Sequence, residues 1–201
     1  MFVKICGLRT PRAVTVAVDA GAEAVGFVLT ASPRQLTPAQ ARHLAAGVPP
    51  DVLTVAVFSG EPPDTVRAAA IEAGVRAVQL HGDHPAGDFA ALRDLPFELV
   101  RAVAGTGDAD LRCGAYGEDL LIVDAPRPGS GELWSWGDLA GGRMIGRWLL
   151  AGGLRPDNVA AAIRAARPWG VDVSSGVESS RGVKDLDLIR RFVRAAKGAA
   201  C

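Results

Sequence analysis

Eight short apolar runs, each followed by an Ala-rich amphipathic stretch, dominate this chain and leave few folds open to it. The runs are Phe2–Cys6, Ala24–Leu29, Leu53–Phe58, Ala77–Leu80, Phe97–Val103, Leu120–Asp124, Trp148–Ala151 and Val171–Ser174. Runs this short with no in/out alternation suit parallel strands covered on both faces by helices. The intervening stretches carry helix-start chemistry. Thr37-Pro38-Ala39-Gln40 has the capping-box spacing, and Thr10-Pro11 and Arg155-Pro156-Asp157 place Pro just inside a helix start. Ala20-Gly21-Ala22-Glu23-Ala24-Val25 and Ala73-Gly74-Val75-Arg76-Ala77-Val78 match at identical offsets, with Trp169-Gly170-Val171 a fainter third copy. Each reads as a helix ending at Gly and leading into a strand, the junction that stacked βα units repeat.

Eight units in 201 residues allow about 25 residues each, near the lower end for a closed (βα)8 TIM barrel. The α/β class and a single (βα)8-barrel domain over residues 1–201 are therefore expected, with a doubly wound open sheet as the alternative. The Gly-, Asp- and Ala-rich stretch between Val103 and Leu120 predicts that helix five is short or absent. The Pro/Gly/Ser-rich stretch from Ala125 to Trp136 predicts a long loop after strand six.

Composition excludes several classes of partner. The chain has 22 basic and 22 acidic residues and no Lys/Arg run, which leaves no electrostatic footprint for nucleic acid or an anionic membrane. No apolar stretch approaches the roughly 18 residues of a membrane span. The start Met1-Phe2-Val3-Lys4-Ile5-Cys6 lacks the charged region and longer apolar run of a signal peptide, so a cytoplasmic protein is expected. Cys6, Cys113 and Cys201 are too few and too widely spaced for a disulfide framework or a zinc site, and no metal or cofactor is expected.

In barrels of this kind the working residues close the C-terminal ends of the strands, and phosphate is held after strands seven and eight. Those two ends read Leu150-Ala151-Gly152-Gly153-Leu154 and Asp172-Val173-Ser174-Ser175-Gly176. Glycines admit a phosphate close to the backbone amides and the Ser hydroxyls add donors. Gly152, Gly153, Asp172, Ser174, Ser175 and Gly176 are therefore candidate contacts for a phosphorylated small molecule. Strand one ends in Cys6, which reads either as a nucleophile or base at the mouth or as a small buried hydrophobe. Strand six ends in Asp124, a proton donor if burial raises its pKa, or otherwise a loop or helix-cap residue. Arg34 and His81 follow strands two and four as candidate substrate contacts, while His43 and His84 read as surface residues. Lys4 is an interior or mouth charge, with Asp172 and Glu178 both open as partners.

Together these pieces resemble the phosphoribosylanthranilate isomerases of tryptophan biosynthesis. The matching segments are Lys4-Ile5-Cys6-Gly7-Leu8, Gly26-Phe27, Ser32-Pro33-Arg34, Val57-Phe58, Gln79-Leu80-His81-Gly82, Asp124, Gly129-Ser130-Gly131 with Trp136, Leu150–Leu154 with Asn158-Val159, and Gly170–Glu178 with Lys184-Asp185. The resemblance implies an aldose-ketose isomerase that performs an Amadori rearrangement without cofactor or metal, as a monomer or homodimer. It implies Asp124 as general acid, Cys6 as general base, Arg34 on the anthranilate carboxylate and the two glycine-rich loops on the phosphate. The chain departs from the family pattern in two loops. Trp134-Ser135 replaces a Phe-Asp pair, and Arg181-Gly182 replaces a Pro-Gly pair. Two other readings compete: a histidine-pathway or bifunctional isomerase barrel, which calls for an Asp where strand one has Cys6, and a non-catalytic phosphate-binding barrel, which needs neither Cys6 nor Asp124.

Overall fold

A computed structural model describes residues 1–105, 110–124 and 144–199. Eight parallel strands pair in sequence order, and β8 closes on β1 to make a barrel. They are β1 (Phe2–Cys6), β2 (Ala24–Val28), β3 (Leu53–Phe58), β4 (Ala77–His81), β5 (Glu98–Ala104), β6 (Leu120–Asp124), β7 (Trp148–Ala151) and β8 (Gly170–Val173). The open-sheet alternative is thereby removed.

The described helices are α1 (Pro11–Asp19), α2 (Pro38–Ala45), α3 (Pro63–Ala73), α4 (Ala86–Ala90), α5 (Val159–Ala166) and α6 (Leu186–Gly198). The start signals mostly act as expected. Thr10 accepts a hydrogen bond from the Ala13 amide, and Thr37 and Gln40 form the full capping box. Gly74 ends α3 in the left-handed conformation. The third copy of the junction behaves differently. Arg167, at φ 49°, provides the left-handed turn after α5, and Gly170 already lies inside β8. Pro156 also falls outside the helix, in a turn before the Asn158 cap.

Two layers of apolar packing follow from the period-two alternation of the strands. One side of each strand meets the helices. The other fills the barrel interior with Cys6, Ala24, Val28, Val55, Val57, Val100, Ile122 and Leu149 among others. That inward face continues to each strand's C-terminal end, so residues two apart share it. Lys4 and Cys6, Gln79 and His81, and Ile122 and Asp124 all fall on it.

Between β5 and β6 the described residues 110–119 form turns and no helix. Arg101, outward-facing on β5, is buried there against Glu118 at 2.7 Å. Its guanidinium also donates to the Asp110 and Arg112 carbonyls and lies 4.5 Å from the centre of the Tyr116 ring. A buried polar clamp thus covers the strand where a helix would pack. His84 is likewise buried rather than a surface residue. Its Nδ1 is 2.8 Å from Asp88 and its Nε2 accepts from the Gly60 amide, which ties the loop after β3 to α4. His43 is exposed, as expected.

Candidate active site

A cavity of about 340 Å³ opens at the C-terminal mouth of the barrel. Cys6, Arg34, His81, Asp124, Gly152, Gly153, Asp172, Ser174, Ser175 and Gly176 all line it. Ten side chains or loops spread over 170 residues of sequence converge because each follows or ends a strand, and closure brings all strand ends to one rim.

The inward-facing charges are paired. Lys4 is completely buried and its Nζ donates to Asp172 Oδ1 at 3.0 Å. This resolves the choice between Asp172 and Glu178 in favour of Asp172. Burial disfavours the ammonium most strongly of any single effect, but the charges and hydrogen bonds of Asp172 and Cys6 together outweigh it and raise the Lys4 pKa above its ordinary value. Cys6 sits two residues up the same strand. Gly26, opposite it on β2, has no room for a side chain, since a Cβ there would stand 2.9 Å from the Cys6 sulfur. Burial pushes the Cys6 thiol up, against the pull of the Lys4 and Lys184 cations.

Asp124 ends β6, three strands from Cys6 around the barrel by way of β7 and β8. Burial raises its pKa, with the nearby His81 opposing and Asp172 adding to the rise. The neutral acid therefore persists to higher pH than in an ordinary aspartate. His81 Nε2 stands 3.8 Å from Asp124 Oδ2, too far for a direct hydrogen bond.

The two glycine-rich loops lie against each other. Asn158 shapes the first, accepting from the Arg155 amide and donating to the Gly153 carbonyl. The second passes so near it that a Cβ on Gly176 would fall 1.7 Å from the Leu154 carbonyl oxygen. Only glycine fits at that crossing.

Arg34 lines the cavity, and one edge of its guanidinium is already engaged. Nε and Nη2 donate to the two oxygens of Glu178 at 2.6 and 2.8 Å. Lys184 stood out in the sequence only within a matching segment, and Glu178 there and as a possible partner of Lys4; in the structure Glu178 instead binds Arg34 and Lys184 binds Ser174. Gln79, quoted in a matching segment, is a third residue not counted among the candidate contacts. Its side chain is buried in the cavity wall and Oε1 has no hydrogen-bond partner among the described residues. An orphaned buried carbonyl costs about 1–3 kcal/mol. The available signal was position, since Gln79 shares the inward face with His81. The Gly129–Trp136 loop lies outside the described residues.

Known proteins resemble the chain over nearly its whole length. The family described as N-(5'-phosphoribosyl)anthranilate isomerase matches residues 3–195. The N-(5'-phosphoribosyl)anthranilate isomerase of Symbiobacterium thermophilum is 41% identical, with 100% of each chain covered. Among solved structures, TrpF from Jonesia denitrificans is 48% identical with a TM-score of 0.93, covering 100% of this chain and 98% of that one. A phosphoribosylanthranilate isomerase solved with reduced 1-(o-carboxyphenylamino)-1-deoxyribulose 5-phosphate is 35% identical with a TM-score of 0.86, covering 98% and 99%.

Proposed function

The chain belongs to the N-(5'-phosphoribosyl)anthranilate isomerase family, and from that premise we propose how its own residues carry the reaction. The reaction converts N-(5-phosphoribosyl)anthranilate to 1-(o-carboxyphenylamino)-1-deoxyribulose 5-phosphate in tryptophan biosynthesis. Asp124 acts as the general acid. It gives its proton to the furanose ring oxygen as the C1′–O bond breaks and the nitrogen lone pair forms the C1′=N iminium. Cys6, as thiolate, then takes the C2′ proton. The C2′–H electrons become the C1′=C2′ bond, the C=N electrons return to nitrogen, and the enolamine tautomerises to the ketone. Atoms balance without any co-reactant.

The observation that carries this assignment is the raised pKa of Asp124 in a cavity it shares with Cys6. An acid and a base on different strands suit proton transfers at neighbouring sugar atoms. Burial keeps most of the resting Cys6 as thiol. The cationic iminium formed in the first step adds to the pull of Lys4 and Lys184 and favours the thiolate when it is needed.

The remaining contacts follow from position. Gly152, Gly153, Ser174, Ser175 and Gly176 hold the phosphate, and Arg34 holds the anthranilate carboxylate. His81 contacts the substrate beside Asp124. Asp172 Oδ1 is committed to Lys4, and its other oxygen, like Gln79 Oε1, accepts from a sugar hydroxyl. The ligand of the 35%-identical relative carries the same three groups, a carboxylate, a sugar chain and a phosphate. We further assign residues 1–201 to one barrel domain working in the cytoplasm as a monomer or homodimer. No described helix is long and apolar enough to cross a membrane.

The test is loss of phosphoribosylanthranilate fluorescence with substrate made in situ. Cys6→Ser and Asp124→Asn are each expected to lower kcat at least about 100-fold while retaining product binding. A near-wild-type rate in either variant removes that residue from the mechanism.

A further inference from the structure

Arg34 raises a geometric question, because a guanidinium already chelated by a carboxylate looks spent. It is not. A guanidinium has five N–H donors, and Glu178 takes two of them, one from Nε and one from Nη2. No other described residue accepts from the Arg34 side chain, and Arg34 lines the cavity. The edge formed by Nη1 and the second Nη2 hydrogen retains the planar fork that matches a carboxylate.

Glu178 is itself held from three sides. Besides Arg34, Oε1 accepts from Lys184 Nζ at 2.8 Å and Oε2 from the Gly182 amide at 3.0 Å. Burial alone would push its carboxyl up, but the bonds from Arg34, Lys184 and Gly182 prevail and hold it at about 2. Lys184 also donates to the Ser174 carbonyl at 2.8 Å and is near the Ser174 hydroxyl at 3.3 Å, so it touches the phosphate loop. These residues belong to a short antiparallel pair, β9 (Glu178–Ser180) and β10 (Val183–Lys184). Its turn packs onto the loop that carries Arg34. A Cβ on Gly182 would meet the Pro33 carbonyl oxygen at 2.8 Å. The three charged side chains sum to +1, which suits one more carboxylate.

We propose that Glu178, braced by Lys184 and the Gly182 amide, is a positioning residue that grips Arg34 by its side edge, presents the end edge to the aryl carboxylate, and so sets the preference for a carboxylated aryl amine. The hairpin thereby joins the two ends of the site, since Lys184 binds the phosphate loop and Glu178 binds the arginine. This rests on the assignment of Arg34 to the anthranilate carboxylate.

Two substrates separate the possibilities: phosphoribosylanthranilate, and the carboxylate-free glycosylamine formed when aniline condenses with ribose 5-phosphate and releases water. Kinetics are compared for Arg34→Met, Glu178→Gln and Glu178→Asp, the last keeping the charge while withdrawing it by one methylene. The Glu178 variants are expected to raise KM for phosphoribosylanthranilate about 10- to 100-fold, the cost of misplacing a binding group by about 1 Å. Their kcat should change little, because carboxylate binding is equal in ground and transition states. For the aniline substrate kcat/KM should move less than about threefold, a contrast that a general loss of structure would not produce. If Arg34→Met shows the carboxylate-selective loss and neither Glu178 variant does, the positioning role is overturned while the Arg34 assignment stands. If Arg34→Met shows no selective loss, that assignment falls and the proposal with it. Equal losses on both substrates in both Glu178 variants also overturn the proposal.

Discussion

Glu118→Gln tests whether the clamp between β5 and β6 holds the barrel where a helix would otherwise pack. Arg101 is 2% exposed and Glu118 fully buried, with Nε and Oε1 2.7 Å apart. Glutamine keeps the shape but has one carbonyl oxygen, so it can accept from the Tyr116 amide, which Glu118 Oε2 binds at 2.8 Å, or from Arg101 Nε, and the variant removes the charge together with one hydrogen bond. Breaking a buried pair by neutralising one partner costs about 3–5 kcal/mol, because the other charge is left in low dielectric. Here the guanidinium keeps two backbone carbonyls and the Tyr116 ring, so the lower end, about 3 kcal/mol, is expected. At about 2–4 °C per kcal/mol for a chain of this length, Tm should fall by about 6–12 °C. Urea unfolding followed by circular dichroism should show a lower midpoint with an unchanged slope. Arg101→Leu with Glu118→Leu removes both charges together and should recover much of the loss. Activity below both transitions should stay within about twofold, since Arg101 points away from the cavity. A loss under about 0.5 kcal/mol in the single variant, or a double variant no better than the single, would refute the argument.

Gly176→Ala should cut kcat/KM by about 100-fold through displaced phosphate contacts, because its Cβ would overlap the Leu154 carbonyl oxygen. Inhibition by inorganic phosphate should weaken in parallel, and an unchanged inhibition constant would contradict the phosphate assignment. The reactive form pairs protonated Asp124 with ionised Cys6, and both pKa values are raised. kcat/KM should therefore climb with pH up to the Asp124 pKa, level off, and fall above that of Cys6. Iodoacetamide labelling of Cys6, followed on its own peptide by mass spectrometry, should track the alkaline limb and still be rising at the ordinary thiol pKa of 9.0. Saturation below neutral pH would contradict a thiol raised by burial.

The strand ends were legible because strands, caps and breakers are local. Each of the eight apolar runs became a strand within about two residues, and Cys6, Asp124 and the two glycine-rich loops reached one rim once the order of units was known. Where local signals failed, a distant or buried partner intervened. His84 looked like a surface histidine until the Gly60 amide and Asp88 closed on it. The turn at Arg167 needed no glycine, and Gly170 serves β8 instead, where a Cβ would meet the Phe2 carbonyl oxygen at 2.5 Å.

The positions of the strands, Cys6 and Asp124 at two strand ends, and the two glycine-rich loops could thus be read directly along the chain, since each depends on neighbours a few residues away. Pairing could not. Lys4 meets Asp172 across 168 residues and Arg34 meets Glu178 across 144, distances over which no periodicity carries information. Those partners are chosen by closure of β8 onto β1, which brings together charges from both ends of the chain, Lys4 and Asp172 in the buried interior and Arg34 and Glu178 at the half-buried mouth. There each buried charge is stable only beside its opposite. Closure is also what leaves Arg34 with one edge held by Glu178 at the wall of the cavity.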